Sequence, residues 1–277
     1  MVHFAEKGAG KYMIDYVFVV LVYRNTADLE DFLVSTKEIT GNYKVIVVNA
    51  YFDEKTKSDA QKIAEEFNCD FLNIENKGYS YGNNVGIEYA HTHYDPKFVI
   101  VSNPDIVIRR FDLDPCELQG DIIAPDITAA TGKKQNPMMV RRSKTSEKLI
   151  YQGFKKNNNI LLFAGIAINK ITRILCLFCT QKKEKFPIYC AHGSFVILSK
   201  NAIETLGVRI YDEKIFLFAE ESVLAYKAHK YGLTTIFDKR IRVDHKEDGS
   251  MKLGGIAVNK ELSKANIYYY EHYVRNI

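Results

Sequence analysis

The most constraining feature of this chain is a series of short, continuously apolar runs, each followed by a helical period. Val17-Phe-Val-Val-Leu-Val22 contains no polar side chain except at its flanks, the pattern of a strand covered on both faces. Residues 28–39 place Leu29, Phe32, Leu33 and Thr36/Ile39 at helical spacing, with Asp28 near the start. Lys44-Val-Ile-Val-Val48 predicts a second strand, 57–67 a helix and 70–74 a third strand. A polar, glycine-containing turn over 76–86 leads into a helix to about Tyr94. Residues 98–102 form a fourth strand and 122–124 a fifth. Strands separated by helices of this length imply right-handed βαβ crossovers and a mostly parallel sheet.

After Pro125 the pattern loosens. Residues 126–139 read as a loop, and 160–179 as an apolar stretch interrupted by Asn169, Lys170 and Arg173. Regular structure resumes with a strand at 193–198 and helices at 200–206 and 220–231. Between those helices lies an apolar, strand-like run. Short strands follow at 234–237 and 241–243, then a Tyr-rich helix over about 262–274. With 277 residues, 47% of them hydrophobic, the chain suits one globular domain with an appendage. The segment 133–185 holds 13 Lys/Arg and 2 Asp/Glu. It carries +11, leaving −7 for the rest of a chain whose net charge is +4. Such a block suits an anionic surface: lipid, phosphate or nucleic acid. Five scattered cysteines do not suggest a disulfide framework. No N-terminal stretch has the order of a signal peptide, and 16–23 is too short to span a membrane, so a cytosolic location is expected.

Chemistry concentrates at element ends. Phe98-Val-Ile-Val-Ser-Asn-Pro-Asp105 ends a strand at a proline and adds a carboxylate at once, where open α/β sheets place ligands. Glu220-Glu221 opens a helix. In order along the chain, Val22-Tyr-Arg-Asn25, Val47-Val-Asn-Ala-Tyr-Phe-Asp53, the glycine turn from Asn76 to Gly86, Ser102-Asn-Pro-Asp105, the run from Tyr211 to Glu221, and Val243-Asp-His245 with Ser250 resemble the motifs of glycosyltransferase family 2. The bacterial rhamnosyltransferase-like members are the most similar kind.

The resemblance implies an α/β fold of the GT-A type, with a central mostly parallel sheet, a basic and apolar helical insertion, and a C-terminal helix. It divides the chain into a donor half at 1–142, an insertion at 143–190, an acceptor and catalytic half at 191–256, and the helix at 257–277. It places nucleotide and donor contacts at Tyr23, Asn25, Asn49, Asp53, Gly78, Asn83, Asn84 and Asn103. Asp105 and His245 would hold Mg²⁺ or Mn²⁺ on the donor diphosphate. Glu221 would be the general base, with Glu220 supporting it. Gly193, Ser194 and Asp212 would face the acceptor. Three departures stand out: Val48 replaces an acid that reads the base, Asn103 the first acid of the metal motif, and Val223 a further acid.

The expected activity is inverting transfer of a sugar from a nucleotide-diphosphate donor, dTDP-rhamnose or a UDP-hexose, to a glycan acceptor that could be lipid-linked. Bacterial surface polysaccharide synthesis is the expected setting. The three departures motivate the alternative of a catalytically inactive nucleotide-sugar-binding or scaffold subunit. Nucleic acid is not an expected partner. For 160–179, Lys170 and Arg173 argue against a membrane span. An interfacial helix on an anionic membrane, at the inner face of the cell membrane, and a helix packed on the main domain or in a homodimer both stay open. Cys176, Cys179, Cys190 and His192 have the ligand types of a zinc site, although buried thiols are the commoner outcome.

Overall fold

The computed structural model describes residues 12–247 and 258–275. Ser250 lies outside them. The first half alternates as its pattern demands: β1 (Tyr12–Val22), α1 (Ala27–Ser35), β2 (Tyr43–Tyr51), α2 (Glu54–Glu66), β3 (Asp70–Glu75), α3 (Tyr79–His93) and β4 (Tyr94–Ser102). Then come β5 (Ile106–Arg110), β6 (Ile122–Ala129), α4 (Lys144–Lys155), α5 (Asn159–Cys179), β7 (Lys185–Pro187), β8 (Phe195–Ser199), α6 (Lys200–Leu206), α7 (Glu220–Lys230) and β9 (Thr235–His245). A C-terminal helix, α8 (Val258–Tyr269), passes into a wider π turn over Tyr270–Val274.

One sheet runs through the molecule in the order β3-β2-β1-β4-β8-β6-β9-β5, with β7 also on β9. Strands β3, β2, β1 and β4 are parallel. β8 runs antiparallel to both of its neighbours, β4 and β6. The chain lays β2 and β3 to one side of β1 and then crosses to lay β4 on the other. Such a switch point opens a crevice beyond the carboxyl ends of the strands. Val17, Val19, Val48, Val99 and Val101 face one apolar layer, packed against Val85 and Ile87 of α3 and Leu224 of α7. Phe18, Val20, Val47 and Ile100 face the other, with Leu29 and Phe32 of α1.

Several readings change. A strand that the sequence reading did not assign, β5, follows Asp105 at once, and β6 continues past Pro125 to Ala129. The short strands expected at 234–237 and 241–243 are one bent strand. Its first part pairs with β7, its second with β5, and it lies along β6 throughout. Residues 211–219 form turns rather than a strand, because the apolar side chains there pack a loop over the sheet end. The insertion expected at 143–190 contains a helical hairpin of α4 and α5. Gly153 lies against the Leu162 backbone, Gly165 lies against Ile150, and Ser146 Oγ donates to Gly165 O at 2.8 Å. Small residues at these crossings let α4 and α5 approach closely. The Arg173 guanidinium turns inward and donates to the Lys134 carbonyl, so it is not a charge on the outer face of α5.

Candidate active site

The crevice at the switch point is a cleft of about 390 Å³. Tyr23 and Asn25 follow β1, Asn103, Pro104 and Asp105 follow β4, and His192, Gly193 and Ser194 precede β8. Because β8 is antiparallel to β4, its amino end meets the carboxyl end of β4, with Ser102 opposite Phe195. The Asn103 amide donates to Ser194 O at 2.8 Å and locks the two loops together. His245 and Glu247 arrive from the end of β9, and Glu220 and Glu221 from the first turn of α7.

Asp105 and His245 are 5% and 8% exposed, with Nε2 of the imidazole 3.3 Å from Asp105 Oδ1. On its other side, His245 Nδ1 lies 2.8 Å from Gln135 Oε1, while Gln135 Nε2 donates to Glu247 Oε1 at 2.9 Å. Since Gln135 donates through its nitrogen, its oxygen accepts from His245 Nδ1–H. Nε2 is then the nitrogen with the lone pair in the neutral ring, and it faces a carboxylate oxygen. Two acceptors this close call for a proton or a cation between them. Among the described residues, no group of three or more His, Cys, Asp or Glu side chains could hold a metal ion. Asp105 and His245 would offer a hard divalent ion one carboxylate and one imidazole, and its remaining oxygen ligands would have to come from elsewhere, such as a bound substrate.

Glu220 is 4% exposed, and its Oε1 has no partner. Burial, and then the Glu221 carboxylate beside it, push its carboxyl well above the ordinary glutamate range. Glu221 lines the cleft and accepts a long hydrogen bond from the Gly193 amide at 3.4 Å. A Cβ at Gly193 would lie 3.0 Å from Glu221 Cγ. Ser194 N donates to His192 Nδ1 at 3.2 Å, leaving Nε2 to carry the proton in the neutral ring. Burial is also the main force holding that imidazole below its ordinary pKa, and His245 adds to it. The His192 and His245 rings are 5.8 Å apart. The 192–194 segment thus touches the metal-type pair, the β4 loop and the carboxylate pair.

The backbone is strained around this cleft. Arg24, Phe218, Ala219 and Glu247 have φ of 65°, 72°, 62° and 57°, a region that costs a non-glycine residue about 1–2 kcal/mol. Phe218 and Ala219 stand immediately before the carboxylate pair. Such strain persists where surrounding structure enforces it, which is common at functional sites.

Ten of the residues singled out from the sequence line the cleft: Tyr23, Asn25, Gly78, Asn103, Asp105, Gly193, Ser194, Glu220, Glu221 and His245. Five do not. Asn49 is buried and donates to Asn73 Oδ1 across β2 and β3 at 2.7 Å. Asp53 caps α2, accepting from the Thr56 amide. Asn83 and Asn84 lie inside α3 rather than in a turn before it, and Asn84 Nδ2 donates to Tyr211 O and Glu213. Asp212 accepts from the hydroxyls of Tyr268 and Tyr273 near the C terminus. At the start of α3, Tyr79 N donates to Phe216 O and Gly78 N to Asn76 Oδ1. Gly78 is required there, because its φ is +100° and any Cβ would collide with the Phe216 carbonyl oxygen. Cys190 is buried, its thiol donating to Glu221 O, while Cys176 and Cys179 lie on α5. The cleft adds Gln135, Glu247 and the Phe216–Phe218 loop, and it holds His192, which the sequence had singled out only as a zinc-type ligand.

No protein-family model matches the chain. The low-salt glycan biosynthesis hexosyltransferase Agl10 of Haloferax volcanii is 23% identical over 225 residues, 79% of this chain and 63% of that protein's length. The chain thus spans less than two thirds of that relative. Among solved structures, GalNAc-T7 with UDP, GalNAc and Mn²⁺ superposes with a TM-score of 0.57 at 12% identity, over 93% of this chain and 48% of that one. Residues 1–349 of TarS from S. aureus give 0.53 at 14% identity, over 94% and 72%. The mannosyltransferase PcManGT of Pyrobaculum calidifontis, with GDP-Man and Mn²⁺, gives 0.50 at 13% identity, over 94% and 71%. The motifs, the sequence relative and the superpositions agree: the chain resembles glycosyltransferase family 2 and is built on the glycosyltransferase A fold.

Proposed function

We propose that this protein is an inverting glycosyltransferase that moves a hexosyl group from a nucleoside-diphosphate sugar to the hydroxyl of a growing glycan. The observation that carries the reading is the convergence in one cleft of a buried Asp105–His245 pair and the Glu220–Glu221 pair. The name of the Haloferax relative favours a hexose, and the UDP and GDP-Man complexes of the neighbours favour a nucleotide donor with Mn²⁺. A UDP-hexose and dTDP-rhamnose are the donors we put forward, and a lipid-linked acceptor in surface glycan synthesis is the setting we favour.

Asp105 and His245 would hold Mg²⁺ or Mn²⁺, which would neutralise charge on the leaving nucleotide diphosphate. Tyr23 and Asn25 flank the mouth where base and ribose would lie. Asn25 is held by Asp28, which also binds Lys246 beside the Asp105 loop. Burial and its neighbour push the Glu220 carboxyl upward, so Glu221, which lines the cleft, is the residue we assign to take the acceptor proton while the acceptor oxygen attacks the anomeric carbon. A single displacement of this kind inverts the anomeric centre.

The test combines binding with turnover. Thermal unfolding with UDP-, GDP- and dTDP-sugars plus Mn²⁺ identifies the donor, and donor hydrolysis or transfer follows for wild type, Glu221→Gln and Asp105→Ala. Loss of a general base lowers the rate by about 10²–10⁴. Background turnover from all three proteins, with donor still bound, overturns the enzyme reading.

A further inference from the structure

α5 is apolar on both of its sides, and only one is covered. Leu161, Leu162, Gly165, Ile168, Thr172, Arg173, Cys176 and Leu177 follow the spacing of a single packed stripe and are half-buried or buried. On the opposite side Ile160, Phe163, Ile166, Ile171, Ile174, Leu175 and Phe178 stand 46–80% exposed. A helix resting on a soluble domain ordinarily turns polar residues outward. Its partner α4 does so, exposing Lys144, Thr145 and Lys148. The outer face of α5 carries one charge, Lys170. Over 21 residues it forms a stripe about 31 Å long, an apolar patch of the size that marks an interaction surface.

Charge identifies the occupant. From 148 to 183 the chain has seven Lys/Arg and no Asp or Glu. Lys156 lies just before α5 and Lys182 and Lys183 just after it, all exposed. A second copy seated face to face would bring lysines against lysines with no carboxylate from this segment to pair them. A surface that offers hydrocarbon flanked by anions satisfies both the apolar stripe and its basic ends. The stem of Lys170 is long enough to lift its ammonium to the headgroups. By length and hydropathy α5 could cross a membrane, but docking in the plane suits it better, because α4 packs along its inner stripe and Arg173 is bound to backbone carbonyls of the domain.

We infer that α5 is a membrane-docking helix that lies in the plane of an anionic lipid leaflet, its outer stripe in the acyl boundary and its lysines on the lipid phosphates. The inference is independent of the activity proposed above, since it uses no residue of the cleft. Membrane docking would hold the cleft within reach of a substrate carried in the same leaflet.

The test is flotation of the full chain with phosphatidylcholine vesicles and with vesicles in which about a third of the lipid is phosphatidylglycerol, together with sedimentation without lipid. Binding to the anionic vesicles, weakened at high salt, is expected. Phe163→Glu/Phe178→Glu should lower it at least tenfold with little change in thermal stability, both side chains being exposed. Lys182→Glu/Lys183→Glu should lower it on anionic vesicles while leaving the apolar stripe intact. Absence of wild-type flotation overturns the inference. So does a lipid-free dimer that Phe163→Glu/Phe178→Glu dissociates while vesicle binding is unchanged, or equal binding to both vesicle types.

Discussion

Glu220 shows how a single side chain can be placed correctly by its motif and still hold its main property in the fold. The sequence identifies two adjacent acids at a helix start; it does not say that one of them is 4% exposed and without a partner at Oε1. The consequence is a pH dependence with a definite sign. A carboxyl raised in the folded state keeps its proton after the unfolded chain has lost it. Its stabilising contribution is complete below the unfolded glutamate pKa of about 4.5 and is lost as pH rises toward the folded value. In that window the slope approaches about 1.4 kcal/mol per pH unit. Glu220→Gln keeps the shape and removes the titration. Urea denaturation across pH should show wild type losing stability as pH rises from about 4.5, and the variant losing less over the same range. Identical pH profiles would mean that Glu220 is ionised in the folded protein. Other residues of the site were legible in part or not at all. Gln135 comes from a segment with no periodic signal, and His192 stood out only for the ligand types of a zinc site; their places in the cleft arise because β6, β8 and β9 bring together positions more than 50 residues apart.

Elements were legible where burial was uniform. The runs 16–22 in β1, 45–48 in β2 and 98–101 in β4 are continuously apolar because both faces are covered there, and a run of that kind declares itself. β5 did not: it is five residues long and ends in exposed Arg109 and Arg110. The bend in β9 split one strand into two apparent ones. In α3 the glycines have the look of turn residues, whereas the helix begins at Tyr79 and carries Gly82 and Gly86 against β1. Their function is close helix–sheet approach. A Cβ on Gly86 would collide with Val19 Cγ1 and lie 3.0 Å from Val48 Cγ2, both on buried, stiff side chains. In open space Gly86→Ala would stabilise the helix by about 1 kcal/mol. Here overpacking should reverse the sign and cost about 1–3 kcal/mol. Val19→Ala opens the facing volume, so the double variant should be less destabilised in urea than the two single costs added together. Simple additivity would show that Gly86 is a turn remnant with room to spare.

At the scale of the whole molecule, the cleft joins residues from Leu21 to Glu247, and no short segment contains it. The order of the motifs made the fold legible. It could not show that the Asp105 pair depends on a side chain from beyond β6, because that contact depends on the register of β6 against β9. With Asn103 where a second acid would stand, the chain offers an ion one carboxylate and one imidazole from the Asp105–His245 pair. An ion held by these two residues would need further oxygen ligands, and a bound diphosphate would need a cation to neutralise it. Each ligand should therefore tighten the other, as reciprocal coupling requires. In thermal unfolding, Mn²⁺ alone should shift the midpoint little, nucleoside diphosphate alone modestly, and the two together by more than their sum. At a hundredfold excess over its Kd, a ligand adds about 2.7 kcal/mol of stability. Gln135→Leu removes the acceptor that orients His245. Loss of such an outer partner weakens metal affinity about 10–100-fold, so the variant should lose the Mn²⁺-dependent part of the shift and retain the nucleotide-only part. Equal losses of both parts would mean that Gln135 supports the cleft as a whole rather than the His245 nitrogen.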